Sequence, residues 1–295
     1  MIMKIFRYLF EAMIAYGIYG MSRLLPVEAS SLLIGKFTKL IGPLLKSHNI
    51  AKKNLALAFP EKSDKERAIL LDSVWENLGR AVGEFSFVGR CDKERFKQYV
   101  EVENKEILSE HLVKGKPAIF FSAHMANWEL APKTAAIHGT PLALVYRPSN
   151  NPLVEKLIRY VRRSYQSESI AKGKAGARDI MRCLNEGQPV GMLLDQKMND
   201  GIAVPFFGRK AMTASAVVNL AKRFQCPVIP AQIIRKTGVN FKVVIHKPLV
   251  AKQTGDDKQD SYDFMCQIND MIEGWVRQHP EQWFWVHNRW PKEEK

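Results

Sequence analysis

Cysteine is scarce in this chain. There are four, Cys91, Cys183, Cys226 and Cys266, far apart and with no CxxC pair. That spacing argues against a disulfide framework and against a structural zinc site. It fits a reducing, cytosol-facing setting. Other absences narrow the chemistry. No GxSxG elbow presents a serine nucleophile. No GxxxxGK[ST] or GxGxxG loop offers a phosphate cradle. No HExxH pair supports a metal hydrolase, so no metal ligands are expected. RNA-binding aromatic motifs are missing, and nucleic acid is not the expected partner. Acidic residues are outnumbered, 30 against 44 basic ones, for a net charge of +14. The excess is spread along the chain and favours a polyanionic partner, such as an anionic membrane surface or an acidic protein.

A long hydrophobic run is missing too. The N-terminus, MIMKIFRYLFEAMIAYGIYGMSRLLP, is apolar between Arg7 and Arg23, with Glu11 the only charge. This falls short of the ~20 residues of a full span. No small-residue cleavage site follows, so a removed signal peptide fits poorly. Three readings stand: a tilted membrane anchor with snorkelling flanks, a helix lying in the interface, and a core helix. The first is the one expected for residues 1–25.

What is present is ample apolar content, 46% of 295 residues, enough for a sizeable core. Up to about residue 115 the pattern is helical. KERAILLDSVWENLGRAVGEF repeats apolar residues at helical spacing, with Ser63 and Glu66 as start signals. From Pro117 onward the pattern changes. PAIFFSA, PLALVYR, PVGMLLD and PVIPAQII are short apolar runs bounded by Pro or Gly. Helical stretches over 126–138, 151–165, 174–186 and 212–224 separate them. FKVVIHKPLV reads as a further strand, 258–279 as a long helix and QWFWVH as a last strand. Alternation of this kind predicts an α/β fold: one domain over 26–295 with a mostly parallel sheet flanked by helices, preceded by the helical N-terminal portion.

In such sheets chemistry gathers at the carboxyl ends of strands. His124 stands at the end of one apolar run and Asp195 at the end of another. Glu129 follows His124 at i+5, on the far side of an ideal helix, so the two meet only if His124 lies on a turn that bends back. A carboxylate on one imidazole nitrogen fixes the tautomer and leaves the other as a general base. Either Glu129 or Asp195 can fill that place, and the sequence does not rank them. Among the basic groups, Arg147 follows a strand directly. Arg159, Arg162 and Arg163 lie on one helix. Guanidinium forks suit phosphate and carboxylate.

These residues resemble a known family. SAHMANWEL at 122–130 looks like the H-x4-D/E motif of acyltransferases. NLALAFPE at 54–61, YRPSNNP at 146–152, LLDQ at 193–196, PFFG at 205–208 and WFWVHNRW at 283–290 follow in the family's order. Together they resemble the late acyltransferases of lipid A biosynthesis, the lauroyl and myristoyl transferase group, over nearly the whole chain. The resemblance implies enzymes of the cytoplasmic face of the bacterial inner membrane, held there by an N-terminal transmembrane helix. They move an acyl chain from acyl carrier protein to a hydroxyl of a lipid A precursor, with no cofactor or metal. It implies His124 as base, with Glu129 and Asp195 as its acidic partners in catalysis. Many members have Asp where this chain has Glu129. Arg147, the Arg162/Arg163 pair and Gln196 take the substrate-binding positions, with the two arginines competing for one role. Transfer to another glycolipid or glycerophospholipid uses the same motif and is the nearest alternative. A basic membrane-surface binding protein explains the charge but leaves His124 without a task.

Overall fold

The computed structural model describes residues 2–113 and 115–290. The helical lead-in comprises α1 (Ile2–Leu24), α2 (Val27–Ile41), α3 (Lys46–Ala58), α4 (Asp64–Arg90) and α5 (Lys93–Tyr99). There follow β1 (Val100–Glu103), α6 (Lys105–His111), β2 (Ile119–Ser122), α7 (Leu130–Ile137), β3 (Ala143–Tyr146) and α8 (Pro152–Arg163). Next come β4 (Ser169–Ala171), α9 (Lys174–Asn185), β5 (Val190–Leu193), and the strands β6 (Ile202–Phe206) and β7 (Arg209–Thr213). The chain closes with α10 (Ala216–Phe224), β8 (Val228–Arg235), β9 (Phe241–Ile245) and α11 (Asp257–Gln278).

Seven strands form one sheet in the order β1-β9-β8-β2-β5-β3-β4, and β6 and β7 make a separate hairpin. Every pairing in the large sheet is parallel except β8 with β9. The expected mostly parallel α/β sheet is therefore present. Alternation along β2 divides the core. Ile119 and Phe121 enter the cluster built with α11 and the C-terminal tryptophans, whereas Phe120 enters the cluster under α7 and α8.

The helical lead-in is set by local signals. Ser63 and Glu66 form a reciprocal capping box at the start of α4. Gly83 on that helix lets α2 approach closely, since a Cβ there would stand 2.7 Å from the carbonyl oxygen of Ser30.

Four expectations need correction. The residues 126–138 are helical only from Leu130, and Ala126 sits at φ 49° in a left-handed turn. Residues 212 and 213 belong to β7, so the helix expected from 212 begins at Ala216. QWFWVH is not a strand. Its β-prone aromatics follow a short 3-10 turn, Pro280–Gln282, in an irregular stretch where Trp283 packs on Phe206 and Trp285 on Phe207. The membrane span expected at the N-terminus is not supported. Among the described residues no helix is long and apolar enough to cross a bilayer. α1 has 23 residues, about 34 Å, but it carries Lys4, Arg7, Glu11 and Arg23. It is also fastened to the domain: Asn151 Nδ2 donates to the carbonyl of Tyr8 and to Glu11 at 2.9 Å each. Its other side leaves Phe6, Leu9, Phe10 and Met13 exposed.

Candidate active site

Two adjacent parallel strands build the centre. Ser122 of β2 is in register with Leu193 of β5. Two residues beyond each partner stand His124 and Asp195, brought side by side at the carboxyl edge of the sheet. The imidazole Nδ1 lies 2.8 Å from Asp195 Oδ1. The His124 backbone N–H donates to Asp195 Oδ2 at 2.9 Å, and Trp283 Nε1 donates to the same oxygen at 2.8 Å. Asp195 is fully buried, with 0% exposure. Burial opposes its charge, but the imidazole and the donors around it prevail and hold the carboxyl below the usual carboxylate range. An ionised carboxylate only accepts hydrogen bonds, so Nδ1 carries a proton and Nε2 is the nitrogen turned away from Asp195. Gln196 brings its Nε2 to 3.4 Å from that nitrogen. The imidazole side chain is 18% exposed, open enough to meet a substrate.

The loop from Ala123 to Glu129 is pinned at several points. Ala126 N–H donates to the carbonyl of Gln282 at 2.8 Å, and Phe284 N–H donates to the carbonyl of His124 at 3.0 Å. Asn127 Nδ2 donates to Glu84 Oε2 at 2.9 Å. Glu84 is buried and ion-paired with Arg235, whose Nε reaches Asn77 Oδ1 at 2.9 Å. The His124 ring packs against Trp128 and Phe284, with centroids 5.3 and 5.7 Å away.

Glu129 faces a different partner. Arg162 Nε donates to its Oε2 at 3.1 Å and Nη2 to its Oε1, while Tyr165 Oη bonds the same carboxylate. Burial works against ionisation, yet the Arg162 charge and these bonds keep the Glu129 pKa below its ordinary value. Burial, with Glu129 beside it, pushes the Tyr165 hydroxyl well up. Arg162 also lies 5.0 Å over the Tyr146 ring. The pair Asp195 and Glu129, unranked in the sequence, is thus divided: the hydrogen-bonded partner of His124 is Asp195.

The helix phase separates the two arginines as well. Arg162 turns inward to Glu129, while Arg163 is exposed on the outer side of α8. Arg147 is exposed just past β3, on the same sheet edge as His124. Trp283, Tyr165, Glu84 and Arg235 carry no role in the sequence reading. WFWVHNRW contains Trp283, but nothing in its spacing tells which ring meets which carboxylate. Next to this site, desolvation lowers the pKa of half-buried His287 to about 4 and keeps it neutral.

Apolar space begins at this centre. A narrow cavity of about 70 Å3 runs between the sheet and α7. Trp128, Glu129 and Arg162 line its near end, and Leu108, Val243 and Ile245 its far end. Its lining is that of a site for an apolar group. Among the described residues no cluster of three His, Cys, Asp or Glu side chains is placed to hold a metal.

A histidine base poised by a buried carboxylate, beside an apolar cavity, suits transfer to or from a lipid chain. Comparison with known proteins gives the family. The chain matches bacterial lipid A biosynthesis acyltransferases over residues 3–292. It is 25% identical to the lipid A biosynthesis palmitoleoyltransferase of Escherichia coli K12, over 84% of this chain and 80% of that one. It is 25% identical to the lauroyltransferase of the same organism, over 81% and 78% of the two chains. For its myristoyltransferase the identity is 23%, over 86% and 77%. Three relatives named for three different acyl chains stand at almost equal distance, so overall similarity does not select a chain length. With a match spanning nearly its full length, this chain belongs to the bacterial lipid A biosynthesis acyltransferase family.

Proposed function

We propose that this acyltransferase of lipid A biosynthesis takes its acyl chain from the thioester of acyl carrier protein. The acceptor is a hydroxyl of a lipid A precursor, the 3-hydroxyl of an acyl chain already on the glucosamine disaccharide. The observation that carries the mechanism is the His124–Asp195 pair, with Nδ1 engaged at 2.8 Å and Nε2 turned to the opposite side, 3.4 Å from Gln196 Nε2. Nε2 accepts the hydroxyl proton as the oxygen attacks the thioester carbonyl. Asp195, ionised and fixed by Trp283, stabilises the imidazolium that forms. The tetrahedral intermediate then collapses. The new ester forms, the C–S bond breaks, and the proton on Nε2 passes to the leaving thiolate. Glu129 supports the reaction by holding Arg162 in the wall of the cavity, where the donor chain lies. Gln196 steadies Nε2, and Arg147 and Arg163 offer exposed guanidinium groups to phosphates.

The surface supports a setting at the cytoplasmic face of the bacterial inner membrane. Exposed Phe6, Leu9 and Phe10 on α1, with Leu33, Phe37 and Leu40 on α2, form apolar faces flanked by lysine and arginine. Such helices lie in the interface rather than across it. A net charge of +14 draws the protein to anionic lipid and to an acidic carrier protein. Flotation with anionic vesicles tests this: Phe6→Ser with Phe10→Ser weakens binding by about tenfold or more and leaves the melting temperature unchanged. Equal flotation of both proteins refutes the α1 contact.

The reaction is tested with a tetra-acylated, Kdo-bearing lipid A precursor and carrier protein loaded with lauroyl, myristoyl or palmitoleoyl chains. The expected result is a mass gain of one acyl chain, reduced by about a thousandfold or more in His124→Ala. Acylation of a glycerophospholipid precursor instead would reassign the acceptor. Acylation of neither acceptor by folded protein overturns the reading.

A further inference from the structure

A second apolar space meets the first. It is an open groove of about 440 Å3 between α1, α4 and α8. Ile14 and Ile18 of α1, Val82 and Phe85 of α4, and Leu157 and Ile158 of α8 line it. Its inner wall consists of Trp128, Glu129 and Arg162, the same three residues that close the near end of the cavity under α7. The Trp128 ring lies 5.3 Å from the His124 ring. Both apolar spaces therefore converge on one side chain next to the base.

We propose that this groove binds the hydrocarbon chain of the acceptor, the chain that carries the attacked hydroxyl. The inference rests on the acyl-transfer reading above. Transfer between two lipids requires two chains to be held at once, with their reacting carbons a few ångströms apart. The cavity under α7 is narrow and lies against the sheet, which suits a single chain delivered as a thioester. The groove is wider, open along its length and bounded by α1. Beyond its lip, α1 exposes Phe6, Leu9 and Phe10, so the groove adjoins an apolar face of the exterior. A membrane-resident acceptor enters from that side.

The shared wall holds a polar anchor. Arg162 gives Nε and Nη2 to Glu129, but its buried Nη1 has no hydrogen-bond partner. An unmet buried donor is costly. An oxygen of the acceptor chain at this point, hydroxyl or ester, satisfies it and places the hydroxyl near His124. Glu129 acts here through Arg162 and is a positioning residue.

Two measurements test the assignment. Val82 is 44% exposed, so Val82→Trp narrows the groove without invading the core, and Ile158→Trp does the same from the opposite wall. Each is expected to raise KM for the lipid A precursor by about tenfold, with KM for the acyl-carrier-protein donor and the chain preference within about twofold. A rise in donor KM instead, or no change in either KM, refutes the groove assignment. The second measurement needs no substitution. A diazirine in the hydroxyacyl chain of the precursor is photolysed on the unmodified protein. Labelling of α1, α4 or α8 is expected. Labelling confined to the cavity under α7, with precursor acylation intact, overturns this inference alone. No acylation of the precursor by the unmodified chain overturns the acyl-transfer reading and this assignment with it.

Discussion

Asp195 and Glu129 are both buried, both ionised and both near His124, yet they have opposite surroundings. Asp195 is surrounded by an imidazole, a backbone N–H and an indole N–H. The imidazole is the group that, on the proposed mechanism, takes up a proton during turnover. Glu129 is surrounded by a guanidinium and a phenol. Neither changes its protonation near neutrality, because burial and the carboxylate push the phenol further up. On that mechanism one carboxylate serves a base that gains charge during turnover. The other holds a fixed cation in place. The difference lies in the partner, not in the carboxylate.

The largest expected effect separates them on rate. Asp195→Asn keeps the shape but offers no full charge to the imidazolium and can favour the wrong tautomer. We expect kcat to fall by about a thousandfold or more, with KM for either substrate little changed. Stopped-time mass spectrometry of the product at saturating substrates reads this directly. A loss below about tenfold would remove Asp195 from the mechanism and leave the ranking of the two carboxylates reversed. Glu129→Gln is the counterpart. It leaves the Arg162 cation buried without its counter-charge, which costs about 3–5 kcal/mol of stability. The melting temperature drops, and the loss in kcat/KM enters through KM because Arg162 is no longer held. If instead kcat collapses while the melting temperature and KM are preserved, Glu129 acts on the reacting atoms and the contrast fails.

Much of this was legible in the sequence. The four central strands announce themselves as apolar runs bounded by proline or glycine, and each lies where expected. β4 has three residues and β1 alternates polar side chains at a sheet edge, so neither carries an apolar run to read. Pro205 interrupts β6 and disguises the hairpin, which is outside the main sheet and tolerates it. The His124–Asp195 pair needed more than position. It follows from the β2–β5 register, two strands 71 residues apart in sequence. Likewise the inward turn of Arg162, and not Arg163, is a matter of helix phase against Glu129. Local patterns state which residues stand at strand ends. They do not state which of them touch.

The finest test removes one hydrogen atom donor from each carboxylate. Trp283→Phe deletes the N–H that fixes Asp195 Oδ2, and Tyr165→Phe deletes the O–H on Glu129. Each lost bond to a charged acceptor is worth about 1.5–3 kcal/mol. The two losses should appear in different observables. With Trp283→Phe the carboxylate gains freedom to turn away from Nδ1, so kcat falls by about tenfold and KM stays level. With Tyr165→Phe the Arg162 fork still grips Glu129. Stability decreases by the lost bond, read by chemical unfolding, and kcat remains within about twofold. The indole also fills core volume, so Trp283→Phe lowers the melting temperature as well. The informative quantity is therefore the ratio of kcat loss to stability loss. A larger ratio for Trp283 places the moving charge at Asp195. Equal ratios would mean that both carboxylates respond to the same step, and the division between the acting and the holding group would have to be abandoned.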